Sequence, residues 1–377
     1  MLKKYPSMLI LAGMLSAVSC QAEVRYKATE IGGLSSREMA SLVVTDINNS
    51  GLVAGYYTGI YSTDVGYQNG PAEIFTWREG DIVTSYQPAG TISISGKYGL
   101  NDSGLLVGTN PTGDRPRATP LSWSAPNQPL ALSLVVPAPW YSDPSQHYAP
   151  KTGTSGRAMA VNEQGDIAGS VALFSGVHAA VVWRDGVATQ IGRADTTTSA
   201  IDINNAGQVL MGGGVWSAGT VKYFNEITGN AINDRGDVVG YKGSNNHAAL
   251  WRDGAVVDLG DLPGGYDSSV AYDINNDGQI VGKSGVTIPS DLPFFYEHAF
   301  SWQDGVLTDL NDLIDEQSGW ILKSASAIND EGQIIGSGLL NGVPRSFLLS
   351  PVPESSSWVM ALIGLAFAAI SRRRALA

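Results

Sequence analysis

The chain has little of several things that common protein functions require. Its 377 residues include one cysteine, Cys20, and four histidines. A single cysteine excludes an internal disulfide and leaves the body of the chain without a thiol for nucleophilic or metal chemistry. Only 15% of the residues are charged, and acids outnumber bases, so the formal net charge is −12. Such an acidic chain repels phosphate, which argues against nucleic acid as a partner.

The chain also lacks a long hydrophobic run. Residues 8–18 form a short apolar stretch behind Lys3 and Lys4, which is the pattern of a secretory signal peptide. Two processing routes remain open. Cleavage after Ala22 fits the small residue there, whereas residues 17–20 resemble a lipoprotein box that would make Cys20 the lipidated terminus.

What the chain does have is glycine, 45 residues of it, and an internal repeat. A phrase with Asn, two variable residues and Gly recurs seven times, and its glycines are at positions 51, 104, 165, 207, 236, 278 and 332. The spacing averages about 47 residues, which is the length of a propeller blade. The chain is therefore predicted to be an array of one repeated unit.

Each unit contains two hairpins. In the sixth copy, apolar residues 271–274 and 279–282 flank the polar turn, and such runs around an Asx-rich turn closed by Gly predict a hairpin. A second hairpin centres on a Trp followed by a tight turn, as in Trp251-Arg252-Asp253-Gly254. Two hairpins make four antiparallel strands, which is one blade.

The ends of the chain predict how the array closes. The last copy stops after its third strand, at residues 346–349, while residues 28–34 resemble a fourth strand with no blade before it. The fold class predicted is all-β: a seven-bladed β-propeller of four-stranded blades, closed by an N-terminal strand, with a short apolar C-terminal helix. The predicted segments are a signal peptide (1–22), a propeller domain (23–350) and a tail (351–377).

The tail resembles a known sorting signal. Val352-Pro353-Glu354 precedes an apolar run, residues 358–370, and then Arg372-Arg373-Arg374. This order resembles the PEP-CTERM signal, although Ser355 stands where that family has a second Pro. The resemblance implies transient anchoring in the inner membrane and processing by a sorting protease of the exosortase type. About 13 apolar residues span roughly 20 Å as a helix, less than a bilayer core of about 30 Å, which suits a processed anchor.

The body resembles the HAF-type extracellular repeat proteins. His298-Ala299-Phe300 carries the motif intact, and the sequences beginning at His247 and His178 are degenerate copies. The resemblance implies an exported repeat protein with no established activity. The three histidines are predicted to share one structural position in the third strand of their blades.

Candidate chemistry in the repeats has a simpler structural explanation. The sequence from Asp273 to Gly278 matches the first half of a calcium loop, but Ser284 stands where the loop needs a bidentate Glu. His147 has no partner at a familiar catalytic or metal-binding spacing. We therefore predict no catalytic residues, no metal and no cofactor, although a weak calcium site in the Asx-rich turns stays open.

Extra length in the repeats points to one face of the propeller. It occurs at residues 56–73, 109–119 and 284–297, between strands two and three, and at residues 136–156, between blades. These connections emerge on one face, which we call the long-loop face, and carry many aromatic residues that suit sugar binding. The predicted ligand-binding residues are Tyr57, Trp140, Tyr141, Tyr148, Phe295 and Tyr296.

The sequence thus predicts an exported cell-envelope or extracellular-matrix protein that is not an enzyme and binds exopolysaccharide through the long-loop face. Two alternatives remain open. One is a polysaccharide hydrolase or lyase on the same scaffold, for which two carboxylates in the central channel would be the sign. The other is a purely structural surface protein.

Overall fold

The structure is a computed structural model. It describes residues 25–32, 41–63, 66–86, 99–112, 117–125, 128–136, 151–173, 178–191, 198–244, 246–265, 267–287 and 296–352. The chain divides into one unit of Tyr26–Pro351 and a second of Met1–Arg25 with Val352–Ala377. Nearly all of the second unit, including the predicted C-terminal helix, lies outside the described residues. In the part that is described, no helix is long and apolar enough to span a bilayer.

The unit Tyr26–Pro351 consists of seven four-stranded antiparallel sheets, as predicted, and each sheet is one blade. The first strand that the structure describes is β1, Arg25–Ile31. Blade one comprises β2 Ser41–Ile47, β3 Val53–Thr63, β4 Gly66–Arg78 and β5 Asp81–Tyr86. Blade two comprises β6 Gly99–Leu100, β7 Leu106–Thr112, β8 Arg117–Trp123 and β9 Pro129–Ala131. A two-stranded sheet follows, made of β10 Val135–Val136 and β11 Lys151–Thr152.

The next four blades follow the same order along the chain. Blade three comprises β12 Ser155–Val161, β13 Ile167–Ala172, β14 His178–Arg184 and β15 Val187–Gln190. Blade four comprises β16 Ala200–Ile203, β17 Val209–Met211, β18 Gly214–Ser217 and β19 Thr220–Tyr223. Blade five comprises β20 Thr228–Ile232, β21 Val238–Lys242, β22 His247–Arg252 and β23 Ala255–Gly260. Blade six comprises β24 Ser269–Ile274, β25 Ile280–Val286, β26 Tyr296–Gln303 and β27 Val306–Asp309.

Blade seven has three consecutive strands at the end of the unit. Two short 3₁₀ helices, Leu310–Leu313 and Glu316–Ser318, lead into it. Its strands are β28 Trp320–Ile328, β29 Ile334–Leu340 and β30 Val343–Val352. The sheet order is β1-β30-β29-β28, so β1 occupies the fourth position.

A bulge shapes the first strand of six blades. In blade six the pairing with β25 skips Tyr272, and the same skip occurs in blades one, three, four, five and seven. A glycine lies opposite the bulge in five of these blades, and a Cβ on Gly282 would stand 2.0 Å from the carbonyl oxygen of Val270. Gly282 and its counterparts in the other four blades are therefore needed, because the bulged backbone comes too close for any side chain.

Two predicted long loops are wrong, because the structure continues the strands instead. In blade one, β3 and β4 run on as a hairpin to Thr63 and Gly66. In blade two, β7 and β8 extend to Thr112 and Arg117. Continued backbone pairing gives these insertions hydrogen bonds that an irregular loop would have to find elsewhere.

The apolar cores lie between neighbouring blades. Trp183 of blade three, 1% exposed, packs in one cluster with Val107 and Leu132 from blade two. Its indole Nε1 donates to the carbonyl oxygen of Ser133 at 2.7 Å. The repeated Trp therefore joins blades, which explains why one position holds so large a side chain in most repeats.

Candidate functional site at the mouth of the central channel

One asparagine from each blade forms a circle around the central channel. Each side-chain Nδ2 donates to the backbone carbonyl of the corresponding asparagine in the next blade, at 2.8–3.2 Å. The last bond runs from Asn329 back to Asn48, so the circle passes through all seven blades. We call it the asparagine ring, and its members are Asn48, Asn101, Asn162, Asn204, Asn233, Asn275 and Asn329.

The same side chains also hold the turns of the repeated phrase. Each Oδ1 accepts the backbone N–H four residues further on, at 2.8–3.0 Å. An asparagine offers a donor and an acceptor at once, and both are used here. An aspartate would lose the donor, which explains why the repeat uses Asn at this position.

The next residue of each repeat forms a second circle, which we call the rim. Each rim side chain accepts a backbone N–H from the rim residue of the preceding blade, at 2.7–3.0 Å. The seven members are Asn49, Asp102, Glu163, Asn205, Asp234, Asn276 and Asp330. Four of these are acids and three are amides, so the rim is acidic.

Amides and carboxylates nearly alternate around the rim. Asn276 Nδ2 donates to Asp234 and to Asp330, at 2.9 and 3.0 Å, and Asn49 Nδ2 bridges Asp102 and Asp330 in the same way. Seven positions cannot alternate completely, and two acids, Asp102 and Glu163, are neighbours. Partial desolvation of its carboxylate at the rim is the main cause that raises the pKa of Glu163; the N–H of Asp102 opposes it, and the charges of Asp102 and Asp234 add to it.

Beneath the two polar circles lies an apolar floor. It consists of the residue that precedes each ring asparagine, and these residues are Ile47, Leu100, Val161, Ile203, Ile232, Ile274 and Ile328. Floor and rim enclose an open cavity of about 160 Å³. That is close to the roughly 150 Å³ of a cavity that holds one benzene molecule and below the roughly 300–1,000 Å³ of most ligand pockets.

The Asp residues of the calcium-like sequence have a structural role. Asp273 accepts the backbone N–H of Ile274 and that of Ile328 in the next blade, both at 2.9 Å. Asp46 and Asp202 make the equivalent bonds in their blades. In the described residues, no three His, Cys, Asp or Glu side chains are grouped so that they could hold a metal ion.

The prediction that three histidines share one position is wrong for His178. His247 and His298 stand four residues before the Trp of their strand, whereas His178 stands five before Trp183. Because side chains alternate along a strand, the extra residue turns His178 to the other side of the sheet. His247 and His298 contact Asp258 and Asp309, respectively, which lie in the fourth strands of their own blades.

Of the six predicted ligand-binding residues, the structure describes two. Tyr57 is 4% exposed, packs near Phe75, and donates its hydroxyl to Glu73. Tyr296 is half-buried at the start of β26, opposite Val286. The other four are Trp140, Tyr141, Tyr148 and Phe295, and they lie outside the described residues.

Most of the predicted sorting signal also lies outside the described residues. Val352 ends β30 and is 45% exposed. The remaining members are Pro353, Glu354, Arg372, Arg373 and Arg374, and they fall beyond it, as Cys20 does at the other end.

Sequence reasoning missed the rim. The signal was present, because every repeat has Asn, Asp or Glu directly after the ring asparagine. Taken alone, that regularity indicates turn chemistry within one hairpin. The structure places the partner of each rim residue in the next blade, 29–61 residues away, or 281 at the closing contact.

Comparison with family models of known proteins gives no match, and comparison with curated proteins gives none either. Solved structures with a similar fold include the β-propeller domain of the Trilobed protease from Pyrococcus furiosus. Its TM-score is 0.36 at 11% identity, with 84% of this chain and 86% of that chain covered. The acylaminoacyl peptidase from Pyrococcus horikoshii also has a TM-score of 0.36 at 13% identity. That match covers 85% of this chain and 47% of the peptidase, so the chain spans about half the length of that protein.

Proposed function

We propose that this protein is an exported, non-enzymatic propeller of the cell envelope or extracellular matrix that binds exopolysaccharide through its long-loop face. The observation that carries the non-enzymatic part is the pair of hydrogen-bonded circles at the channel mouth. Ring and rim side chains bond to the neighbouring blade. The cavity they surround, about 160 Å³, is too small to bury a sugar chain.

The binding part rests on the composition of the long-loop face. Tyr296 stands where β26 begins, beside the insertion that contains Phe295, and is half-buried. An amphipathic ring in such a position offers an apolar surface to a sugar and a hydroxyl to its polar groups. Trp140, Tyr141 and Tyr148 in the insertion after blade two extend this aromatic character along the chain.

Binding is tested with the full chain on an array of envelope and matrix polysaccharides. We expect binding that falls strongly when Trp140 and Tyr141 are both changed to Ala. The matched control is Tyr223→Ala, which removes an aromatic side chain that is 62% exposed on the outer strand of blade four. Equal loss in both variants, or no binding by the unaltered chain, would remove the binding proposal.

Export and sorting are a separate part of the proposal. Lys3 and Lys4 with residues 8–18 support export, and Val352-Pro353-Glu354 with Arg372-Arg373-Arg374 supports exosortase-type processing after transient anchoring in the inner membrane. The intact mass of the native protein tests both ends. Retention of Arg372 would contradict processing of the tail, and a lipid on Cys20 would replace cleavage after Ala22.

We also infer that β1 closes the propeller. Three observations support this inference: its place beside β30 in the sheet order, the ion pair of Glu30 with Arg345 at 2.8 Å, and the burial of Tyr26 and Ile31. Tyr26 packs with Val281 and Phe347, and Ile31 packs with Val44 and Leu348. These contacts involve the sixth, seventh and first blades.

A polysaccharide hydrolase is the second candidate, and one observation favours it. Asp102 and Glu163 are neighbouring acids at the channel mouth, and the raised pKa of Glu163 suits a general acid. Release of reducing ends from exopolysaccharide, lost in Glu163→Gln and retained in Glu226→Gln, would establish this activity. If the unaltered chain binds a polysaccharide without cleaving it, the hydrolase is excluded for that polymer.

A further inference from the structure

One histidine of blade five contacts the connection between blades five and six. His247 begins β22, and its Nδ1 lies 3.3 Å from Asp258 Oδ2 in the fourth strand of the same blade. Its Nε2 lies 2.8 Å from Asp267 Oδ1, in the connection that leads to blade six. The imidazole therefore stands between two carboxylates, one on the blade and one on the connection.

This arrangement requires both ring nitrogens to donate. An ionised carboxylate only accepts hydrogen bonds, and a neutral imidazole carries one N–H and one acceptor nitrogen. Neutral His247 can thus satisfy one carboxylate but presents a lone pair to the other. Only the imidazolium donates to both, so the geometry itself favours the protonated form.

We propose that His247 is a proton-dependent latch that holds Asp267, near the end of the connection to blade six, against blade five, closed when the imidazole is protonated and released on the Asp267 side when it is neutral.

The surrounding charges support the latch. Lys242, on the neighbouring strand β21, pairs with Asp258 at 3.0 Å and keeps that carboxylate ionised. Burial opposes the charge on His247, but its bonds to Asp258 and Asp267 and their negative charges outweigh that effect and raise the pKa above 6.5. Burial also opposes ionisation of Asp258, yet the bonds from the Gly260 N–H, Lys242 and His247 lower its pKa. The side chains facing His247 are thus Asp258, Asp267 and, through Asp258, Lys242.

Two further hydrogen bonds lie close to the contact between His247 and Asp267. The Ser269 N–H donates to the Asn246 carbonyl at 2.8 Å, and Ser269 Oγ accepts the Ala248 N–H at 2.9 Å. Both bonds join Ser269, the first residue of β24, to the chain at the start of β22, and Ser269 is two residues from Asp267. They report directly on whether the connection stays against blade five.

Blade six contains a comparator for the latch. Among the residues that the structure describes, Asp309 is the one carboxylate paired with His298, through Nδ1 at 2.5 Å. A neutral imidazole can still donate from that nitrogen. The connection that follows blade six is held by Asp309 through the Asn311 N–H and should not respond to the same pH change.

The test is amide hydrogen exchange on the full chain at pH 5.5 and pH 8.5, expressed as protection factors so that intrinsic exchange is removed. We expect protection of the Ser269 amide to fall about fivefold at the higher pH, the change in equilibrium constant that follows loss of one ordinary hydrogen bond. Protection of the Leu322 amide, which donates to Asn311 after blade six, should stay the same.

Two variants separate the latch from a merely structural histidine. His247→Gln should lower Ser269 protection at pH 5.5 and make it independent of pH, whereas His178→Gln, on an exposed residue, should behave like the unaltered chain. Asp267→Asn should keep the connection protected at both pH values, because an amide can accept from imidazolium and donate to neutral imidazole. Asn also tolerates the positive φ of 50° at this position.

The proposal fails if Ser269 protection in the unaltered chain is equal at both pH values, or if Asp267→Asn retains the full pH response. A direct titration of the His247 ring by NMR gives a second criterion that does not depend on the variants folding. A midpoint at or below 6.5 would overturn the latch.

Discussion

At the scale of single residues, the ring asparagine links turn and blade. Asn275 donates to the carbonyl of Asn329 at 3.1 Å and accepts the N–H of Gln279 at 2.9 Å, while it is 5% exposed. One side chain therefore fixes its own hairpin and the position of the next blade. The same pair of bonds recurs in all seven blades, so every blade is joined to the next by the same contact.

Replacing Asn275 with Leu keeps the branching of the side chain but removes both bonds and leaves the N–H of Gln279 without its acceptor. We expect the free energy of unfolding, measured by urea denaturation, to fall by about 1–3 kcal/mol, the cost of a buried unsatisfied donor. Asp277→Ala, on an exposed residue two positions away, should change it by about 0.5 kcal/mol or less. Similar effects in the two variants would mean that the ring contributes nothing to stability.

We expect the rim to make the stability of the protein depend on pH. Because the pKa of Glu163 is raised above its ordinary value of 4.5, the folded state holds this proton more tightly than the unfolded state. The free energy of unfolding therefore falls as the pH rises from 4.5 toward the pKa of Glu163 in the folded state, and it falls no further above that pKa. Glu163→Gln should raise the melting temperature at pH 7 but have little effect at pH 3.5, where the acid is protonated in both states.

The exposed Glu226→Gln serves as the control at both pH values. Glutamine at position 163 can still accept the Asp102 N–H through its side-chain oxygen, so the rim bond is preserved. If Glu163→Gln is less stable at pH 7 than the unaltered chain, the clustered charge is not a cost and the account of the rim is wrong.

At the scale of elements, five of the blades have a close approach between their first two strands, with a glycine opposite the bulge. A Cβ on Gly282 would meet the Val270 carbonyl oxygen at 2.0 Å and the Phe300 ring at 2.9 Å. Gly282→Ala should therefore lower the free energy of unfolding by about 1–3 kcal/mol, as overpacking does. Gly212→Ala, where the added methyl meets nothing within 4 Å, should be neutral or slightly stabilising, and equal results would contradict the bulge explanation.

The sequence predicted these elements because their signals are local. A polar turn ending in Gly between apolar runs specifies a hairpin, and Trp183 and Trp251 mark the third strand. The bulge at Tyr272 escaped prediction because it is a matter of register between strands rather than of composition. The rim escaped because Asp102 and Glu163, 61 residues apart, meet only once the blades are assembled. The extension of β3 was not predicted because its glycines and tyrosines are compatible with either a paired strand or a loop.

At the scale of the whole molecule, the seven blades must be joined at one seam, between the seventh and the first. At the channel mouth, Asn329 and Asp330 bond to Asn48 and Asn49 across that seam, at 2.9 and 2.8 Å. Toward the outside, Ile31 of β1 is 2% exposed and packs with Val44 of blade one and Leu348 of β30. Tyr26 holds β1 from its other side: it is 5% exposed, packs against Val281 of blade six and Phe347 of β30, and accepts a bond from Gln279 at 3.0 Å. Inner hydrogen bonds and outer apolar burial thus hold two different layers of the same seam.

If β1 closes the propeller, Tyr26→Ala should loosen β1 from blades six and seven and so weaken the outer layer of the seam, where Ile31 packs with Val44. Removal of a buried aromatic side chain costs about 3–5 kcal/mol, which should appear as a lower free energy of unfolding and as faster amide exchange in β30. Tyr223→Ala, at a site that is 62% exposed, should change neither. Exchange in the innermost strand β28 should be less affected, since the bonds of Asn329 remain. A loss of stability without faster exchange in β30 would mean that Tyr26 only fills space between blades six and seven, and that the ring of asparagines alone keeps the circle closed.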